Sequence, residues 1–232
     1  MYTADKNSEH PSDEFLRHFA ELNRIVLGSG SILEGNIYFP DGTHRDHVDV
    51  IKNNEVLPVR RHRRANIVSA IRNKKCALEI GFNAGHSALL MLESNLSIRY
   101  IGIDIARHKY TRPCGDYMKS VYGARFDIFY GSSFTVLPEI ASRGVCTTVD
   151  LVHVDGGHSA EAAQTDLTNV VRMPRQDALP RHLIVDDTQM PQILSVLADL
   201  QDRGVLRSET IGATWLGKHN LFFEIVEPVA IR

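Results

Sequence analysis

The sequence predicts an α/β protein in which a mostly parallel, doubly wound sheet lies between two layers of helices. From about residue 65 onward, short β-branched apolar runs alternate with segments whose apolar residues repeat at helical spacing. The spacers between most of the runs are long enough for a helix, which is typical of βαβ units around a parallel sheet. The runs cover residues 76–80, 100–105, 125–130, 149–154, 182–185 and 221–226.

The helices and the last strands are predicted in chain order. Residues 13–26 have a helical pattern. Helical spacing returns in "HSALLMLES" and in "MPQILSVLADLQDRG", which ends in a glycine suited to a helix C-terminus. After Gly204 the sequence predicts a closing hairpin, and its second strand, 221–226, should enter the sheet beside residues 182–185.

Residues 1–64 are predicted to be an N-terminal extension, and residues 65–232 the main domain. Beyond the helix at 13–26, the extension shows no clean period and contains several glycines. Two interpretations stay open for it: a cap that closes the cleft of the α/β core, or a surface arm.

Composition excludes several classes of protein. The chain has 232 residues and a formal net charge of −2, from 26 Lys and Arg against 28 Asp and Glu, so no global basic field would attract nucleic acid. The N-terminus is polar and acidic, and no run approaches ~18 apolar residues, so we expect a cytoplasmic protein without a membrane segment. The three cysteines are widely spaced without a CxxC, which favours reduced thiols. A homo-oligomer is compatible with these data.

Four arginines stand close together in "VRRHRRANIVSAI", at Arg60, Arg61, Arg63 and Arg64. The patch is short, has no interleaved aromatic residues and opens a helical stretch. We therefore interpret it as a solvated helix face rather than a nucleic-acid site, with contact to an acidic substrate as the alternative.

The stretch "CALEIGFNAGHSALLML" predicts an anion-binding turn. A strand runs into Gly81 and Gly85, and a helix follows at once, so unpaired N–H groups at its N-terminus face the turn. A dinucleotide requires G-x-G-x-x-G, but the second glycine position holds Asn83, whose side chain would obstruct a pyrophosphate. S-adenosylmethionine brings one small carboxylate beside an ammonium group, tolerates G-x-x-x-G and benefits from an acid such as Glu79.

About 20 residues after Gly85, the strand "YIGID" ends at Asp104, where a carboxylate can accept hydrogen bonds from a ribose diol. This feature suits both cofactors equally. The alternative for the whole turn is purely structural: the glycines make a tight strand-to-helix turn, and Glu79 is a cap.

The ordered set of motifs resembles a known family. E-x-G-x-x-x-G followed by the strand-ending aspartate resembles the class I S-adenosylmethionine-dependent methyltransferases. "LEIGFNAGHSA", "GSS" at 131–133, "VDGGH" and "IVDD" look like the metal-dependent small-molecule O-methyltransferases, which include catechol-type, sugar and antibiotic enzymes. The resemblance covers residues 76–191 and implies a Rossmann-like methyltransferase fold with a seven-stranded sheet.

The same resemblance implies roles for individual residues in binding S-adenosylmethionine. Glu79 and the turn of Gly81, Asn83 and Gly85 would hold the methionine end, with Ser87 bonding its carboxylate. Asp104 would hold the ribose, and Ser132 would lie at the adenine.

Three aspartates predict a metal site. Asp155, Asp186 and Asp187 end two apolar strands that should be neighbours, and converging carboxylates repel one another unless a cation lies among them. Hard oxygen ligands without cysteine indicate Mg²⁺, or Mn²⁺ or Ca²⁺. The resemblance implies the same trio, although its third ligand is usually Asn and Asp187 departs from that pattern. The alternative is that Asp186 or Asp187 caps the following helix.

His158 and Asp155 are the predicted catalytic residues. A substrate hydroxyl on a divalent cation has a lowered pKa, so its oxygen can act as a nucleophile. The resemblance places His158 where catechol-type enzymes carry a lysine base, and a histidine titrates nearer neutral pH. Its alternative is support of the Gly156–Gly157 loop, and His153 is expected to point into the sheet as a structural residue.

The sequence thus predicts a metal-assisted O-methyltransferase that acts on a small hydroxylated molecule such as a phenol, a catechol, a sugar or a natural product. Two rivals remain: a nonheme-iron hydroxylase on the same fold, although its usual two histidines and one carboxylate are not matched, and a noncatalytic protein that binds S-adenosylmethionine. Trp215 and His219 are candidates for contacting the substrate.

Overall fold

The computed structural model describes residues 12–39, 44–174, 181–209 and 220–226. Trp215 and His219 lie outside the described residues, so their predicted role is not addressed by the structure. Within the described part of the chain, no helix combines the length and the apolar composition that crossing a membrane requires.

The chain folds into a three-layer α/β structure around a seven-stranded sheet, as predicted. The strands are β1 (Cys76–Ile80), β2 (Arg99–Asp104), β3 (Phe126–Tyr130), β4 (Leu151–Val154), β5 (Arg181–Asp186), β6 (Leu206–Glu209) and β7 (Asn220–Ile225). The helices are α1 (Asp13–Gly28), α2 (His44–Lys52), α3 (Arg61–Ile71), α4 (His86–Ser94), α5 (Thr111–Tyr122), α6 (Ser133–Ser142), α7 (Ala160–Arg172) and α8 (Pro191–Asp202).

The strand order is β3-β2-β1-β4-β5-β7-β6. Strands β1 to β5 pair in parallel, whereas β7 runs antiparallel between β5 and β6. The predicted closing hairpin is therefore confirmed, and its second strand lies beside β5. Strand order reverses between β1 and β4, and ligands bind outside the carboxyl ends of the strands at such a switch point.

The sheet is buried on both faces, because each face carries its own apolar cluster. One face packs against α1, α3, α4 and α5 through residues such as Phe19, Ile67 and Leu89. The other packs against α6, α7 and α8 through residues such as Leu137, Leu167 and Leu197. The three cysteines are free, as predicted, and the structure adds that all three are buried.

The N-terminal extension packs directly on the main domain. Phe15, Phe19, Leu22 and Val26 of α1 are buried in the same cluster as the sheet residue Ala77. The predicted boundary between residues 64 and 65 falls inside α3. Residues 34–37 of the extension line the cavity described next, a position that the cap interpretation requires, and that interpretation stays a prediction.

Candidate active site

A cavity of about 860 Å³ lies at the carboxyl ends of the parallel strands. Its walls are the turn after β1, the loops after β2, β3, β4 and β5, and the extension. Most of the predicted site residues line it: Gly81, Asn83, Ser87, Asp104, Ser132, Asp155, His158, Asp186 and Asp187. Fold topology therefore brings residues more than 100 positions apart in the sequence to one cleft.

The turn after β1 requires both of its glycines. Gly81 has φ +103°, and a Cβ at this position would lie 2.0 Å from the backbone oxygen of Asp155. Gly85 has φ +81°, and a Cβ there would lie 2.6 Å from the ring of Phe82. The turn thus packs tightly against the chain as well as lining the cavity. Helix α4 begins at His86 without a side-chain cap, so its first N–H groups face the turn.

Asn83 connects this turn to the extension. Its side-chain amide donates to the backbone oxygens of Glu34 and of Gly35, the latter at 3.1 Å. Its Oδ1 accepts a hydrogen bond of 2.7 Å from the hydroxyl of buried Tyr110. Asn83, whose side chain makes a dinucleotide site unfavourable, therefore holds residues 34–35 at the cavity wall. The sequence did not indicate this role.

Asp104 lies at the rim of the cavity with both carboxylate oxygens already accepting backbone hydrogen bonds. Oδ2 accepts from the N–H of Asn83 and Oδ1 from that of Ala106, each at 2.7 Å. These bonds fix the orientation of the carboxylate, and each oxygen keeps a second lone pair for another donor.

The predicted adenine end of the cavity combines polar and apolar groups. Ser132 caps α6, because its hydroxyl accepts from the N–H of Phe134 at 3.3 Å. Phe134 and Ile105 are large apolar side chains that are 39% and 64% exposed, yet both line the cavity. Such exposed apolar surface suits the flat face of a base, and no pattern in the sequence singled out either residue.

Glu79 has different surroundings from those expected. Its side chain is fully buried and does not line the cavity. It accepts a short hydrogen bond from the hydroxyl of Tyr100, and its Oε1 lies 2.7 Å from Nδ1 of His153. Its predicted contact with the methionine end stays a prediction, and the structure instead shows a carboxylate that holds a buried histidine.

The three predicted metal ligands lie at adjacent strand ends. Asp155 follows β4, Asp186 ends β5, and Asp187 follows with φ +54°. The capping alternative fails, because α8 begins after Met190 and has no side-chain cap. The described residues donate no hydrogen bond to the carboxylate of Asp155, which lines the cavity, whereas Asp186 accepts from the N–H of Asp187 at 2.9 Å and from Asn220 at 2.8 Å.

Arg63 corrects the prediction of a solvated arginine face. Arg61 is exposed, but Arg63 is only 4% exposed, and its Nη2 lies 2.5 Å from Oδ1 of Asp186 and 3.2 Å from Oδ1 of Asp187. Arg64 is partly buried and donates to two backbone oxygens at 2.8 and 2.9 Å. The apolar period of the helix did not reveal this because Arg63 pairs with acids about 120 residues away in the sequence.

Burial and mutual repulsion shape the charges at this edge. Desolvation and the neighbouring Asp186 raise the pKa of Asp155 well above its usual value. Desolvation likewise raises the pKa of Asp186, although Arg63 opposes it. For Asp187, burial acts in the same direction, but hydrogen bonds from His158 and Gln189 outweigh it and lower the pKa. Asp155 is therefore the carboxylate with the greatest need of a cation.

Two histidines flank the aspartates. His158 is exposed, and its Nε2 lies 2.9 Å from Oδ2 of Asp187, a contact that raises the pKa of the imidazole. His153 is fully buried on β4; burial opposes its charge, but Glu79 and the nearby aspartates raise its pKa to about 9. His153 lies in the interior of the protein, as predicted, and its ring also faces the aspartates.

The donor set fits a divalent cation. Ligand atoms of His153, Asp155 and Asp186 lie within 4.8 Å of one another, and so do those of Asp155, His158 and Asp187. Asp155 belongs to both groups and has no hydrogen-bond donor among the described residues. In Asp186 the hydrogen bonds from Arg63, Asp187 and Asn220 all go to Oδ1. Carboxylate oxygens therefore remain available to a cation at the cavity.

The sheet order, with the cavity over the strand ends, is that of the Rossmann-like methyltransferase fold. Residues 78–188, a little under half of the chain, match a family model described as a methyltransferase domain. Residues 78–188 thus match a methyltransferase domain, and the chain as a whole has the Rossmann-like methyltransferase fold. A comparison with the curated proteins finds no match.

Solved structures with the same fold include three O-methyltransferases. One from Bacillus cereus, in complex with S-adenosylhomocysteine, is 13% identical with a TM-score of 0.60, over 95% of this chain and 94% of that one. TomG from Streptomyces achromogenes, involved in tomaymycin synthesis and in complex with S-adenosylmethionine, is 15% identical with a TM-score of 0.57, over 95% and 92%. The calicheamicin TDP-rhamnose 3'-O-methyltransferase CalS11 is 12% identical with a TM-score of 0.54, over 94% and 98%.

Proposed function

We propose that the protein transfers a methyl group from S-adenosylmethionine to a hydroxyl of a small molecule, with the help of a divalent cation. The observation that carries this proposal is the position of Asp155: a carboxylate without a hydrogen-bond donor among the described residues, which lines the same cavity as the turn after β1 and Asp104. A donor seated over the turn and an acceptor at the aspartates would share one cleft.

Several contacts support a cofactor site along the first two strands. The turn from Gly81 to Gly85 leads directly into α4, whose N-terminus attracts an anionic group such as a carboxylate. Ser87 is 8% exposed and lines the cavity one residue into the helix. Asp104 is held by two backbone N–H groups in an orientation suited to a diol. We assign the methionine end to the turn and Ser87, the ribose to Asp104 and the adenine to Ser132, beside Phe134 and Ile105.

The acid edge would hold Mg²⁺, Mn²⁺ or Ca²⁺. Asp155 and Asp186 would be the central ligands, with Asp187 as the predicted third. A bound cation lowers the pKa of a coordinated hydroxyl. Arg63 would keep Asp186 and Asp187 in place, because it contacts both carboxylates from the buried side.

His158 is the proposed base. Its ring is exposed at the cavity and oriented by Asp187, an arrangement in which a carboxylate holds the imidazole for proton transfer. The exposed position lets it reach a proton on a bound acceptor, while the buried His153 cannot do so through solvent. The extension, through residues 34–37, would form the remaining wall around the acceptor.

Calorimetry with S-adenosylhomocysteine and Mg²⁺, together with the variants Asp155→Ala and Asp186→Ala, tests the proposal. Both variants should bind S-adenosylhomocysteine about as tightly as wild type but lose the metal, because the two sites use different residues. Chelation of the metal should slow methyl transfer to a catechol or sugar panel in wild type. Cofactor binding with no metal binding in the wild-type protein would favour the rival, a noncatalytic S-adenosylmethionine-binding protein.

A further inference from the structure

We propose that His153 supplies a nitrogen ligand to the cation, so that His153, Asp155 and Asp186 form a centre for a transition-metal ion such as Mn²⁺ or Fe²⁺ rather than for Mg²⁺. This inference rests on the metal site of the proposed function and names the class of ion that it holds. It goes beyond the aspartate trio, because it adds a ligand that the sequence marked as structural.

The position of the histidine in the sheet carries the first step. His153 lies on β4, between β1 and β5, and its register partners are Glu79 on one side and Ile184 on the other. Nδ1 contacts Glu79 at 2.7 Å, so this nitrogen is committed to β1. Nε2 is buried and has no hydrogen-bond partner among the described residues. A buried polar atom without a partner is costly, which indicates that it binds something at this position.

The spacing of the three groups carries the second step. One ligand atom from each of His153, Asp155 and Asp186 lies within 4.8 Å of the other two, yet no direct hydrogen bond joins Nε2 to either carboxylate. Metal–ligand bonds of about 2.1 Å place neighbouring ligands of an ion ~3 Å apart and opposite ligands ~4 Å apart. The three groups therefore lie close to the spacing of a shared ion, with no hydrogen bond between the imidazole Nε2 and either carboxylate.

The surroundings of these ligands carry the third step. A histidine that binds a metal usually donates its other N–H to a carboxylate, which fixes the orientation of the ring. Glu79 is that carboxylate for His153, and Glu79 in turn accepts a hydrogen bond from Tyr100. Arg63 and Asn220 occupy only Oδ1 of Asp186. A metal ligand must be deprotonated, so the ion would take the place of the proton on Nε2.

The second group of donors, Asp155, His158 and Asp187, provides an internal comparison. There the histidine and Asp187 contact each other directly at 2.9 Å, and His158 is exposed. This pair is satisfied without an ion, unlike His153. An imidazole ligand favours first-row transition metals over Mg²⁺ and Ca²⁺, which prefer oxygen, so coordination by His153 predicts a stronger preference for Mn²⁺ or Fe²⁺ than coordination by the aspartates alone.

Electron spin echo spectroscopy of Mn²⁺ bound to the full chain tests the inference directly. Wild-type protein should show nitrogen modulation from a coordinated imidazole, and growth with ¹⁵N-histidine should change the pattern. His153→Gln should abolish the modulation and weaken Mn²⁺ binding by about 100-fold or more, since a ligand matters at least as much as its supporting partners. His158→Gln, the matched control, should keep the modulation.

The outcomes separate this inference from the proposed function. Mn²⁺ bound without nitrogen modulation, or modulation lost only in His158→Gln, would overturn the role of His153 and leave the metal-assisted methyltransferase intact. Binding of S-adenosylhomocysteine with no binding of Mn²⁺ or Mg²⁺ would overturn both the inference and the metal part of the function. If His153→Gln does not fold, the ¹⁵N spectrum of the wild type decides the question alone.

Discussion

At the scale of single residues, the two sides of the cavity differ: the proposed cofactor side holds Asp104 in a fixed orientation, and the proposed acceptor side carries closely spaced carboxylates. Asp104 is satisfied by two backbone N–H groups, whereas Asp155 has no donor among the described residues. The first arrangement positions a carboxylate in advance, and the second leaves a charge for a ligand to compensate. The two sides should therefore respond to different substitutions.

Asp104→Ala should weaken binding of S-adenosylhomocysteine by about 10- to 100-fold, because hydrogen bonds to a charged group contribute about 1.5–3 kcal/mol. Calorimetry measures the change in Kd. Asp127→Ala is the matched control, since Asp127 lies on the neighbouring strand and pairs with Arg99 and Lys119 away from the cavity. Equal affinities of the Asp104 variant and wild type would remove this residue from the ribose site.

His158→Gln should reduce kcat by about 10²-fold or more, the usual contribution of a positioned base, and leave the Kd of S-adenosylhomocysteine unchanged. A base acts in its neutral form, and the contact with Asp187 raises the pKa of His158. The wild-type rate should therefore climb with pH above about 6.5, and the variant should lose that rise. A variant with an unaltered pH profile would assign His158 to support of its loop.

At the scale of elements, the junction between the extension and the turn after β1 forms one wall of the cavity. Asn83 connects residues 34–35 to the turn, and Tyr110 at the start of α5 bonds the same amide. Three segments that are distant in the sequence thus meet at one side chain. This junction explains why residue 83 is polar where a dinucleotide-binding turn has glycine.

Asn83→Gly should loosen the junction without straining the backbone, since the residue has φ +54° and glycine adopts that conformation freely. Amide hydrogen exchange of residues 33–37 should become faster. Tyr110→Phe removes the hydroxyl that donates to Asn83 and accepts from the N–H of Glu34, and it should change exchange in the same direction. Tyr130→Phe serves as control because that hydroxyl contacts the backbone of Arg112 instead. Unchanged exchange in both junction variants would contradict the role of the junction in holding this wall.

At the scale of the whole molecule, the extension and the sheet form one core. His86 illustrates this, since its buried ring contacts Asn23 of α1 at 3.0 Å and Asn36 of the extension at 3.2 Å. Burial lowers the pKa of this histidine to about 3. The native ring is therefore neutral across the range in which a free histidine takes up a proton.

This burial predicts a pH dependence of stability. Below about pH 6.5 the unfolded chain binds a proton at His86 and the native chain does not until about pH 3, so stability falls as pH falls through this window. Between pH 7 and pH 5 the loss should be about 2 kcal/mol. Urea unfolding of wild type and His86→Gln at both pH values measures it, and the variant should show a correspondingly smaller loss. The same loss in both proteins would show that the native ring takes up the proton.

The sequence determined the architecture, and most of the residues that it predicted for the site line one cavity. The β-branched runs predicted β1 to β5 and β7 to within about two residues, because a strand that is buried on both faces consists of a continuous run of apolar residues. Strand ends also predicted which loops meet, since parallel strands place their carboxyl ends at one edge. The turn after β1, Asp104 and the three aspartates were predicted this way, and all of them line the cavity.

Only the tertiary structure decided the contacts between distant segments. Arg63 was expected in solvent and lies against Asp186, Glu79 was expected at the cofactor and holds His153, and Asn83 bonds the extension. The physical reason is that hydrogen bonds and ion pairs between segments depend on which side chains the fold brings within about 3 Å of one another. Periodicity records which side of an element is buried, and it carries no information about the partner on that side.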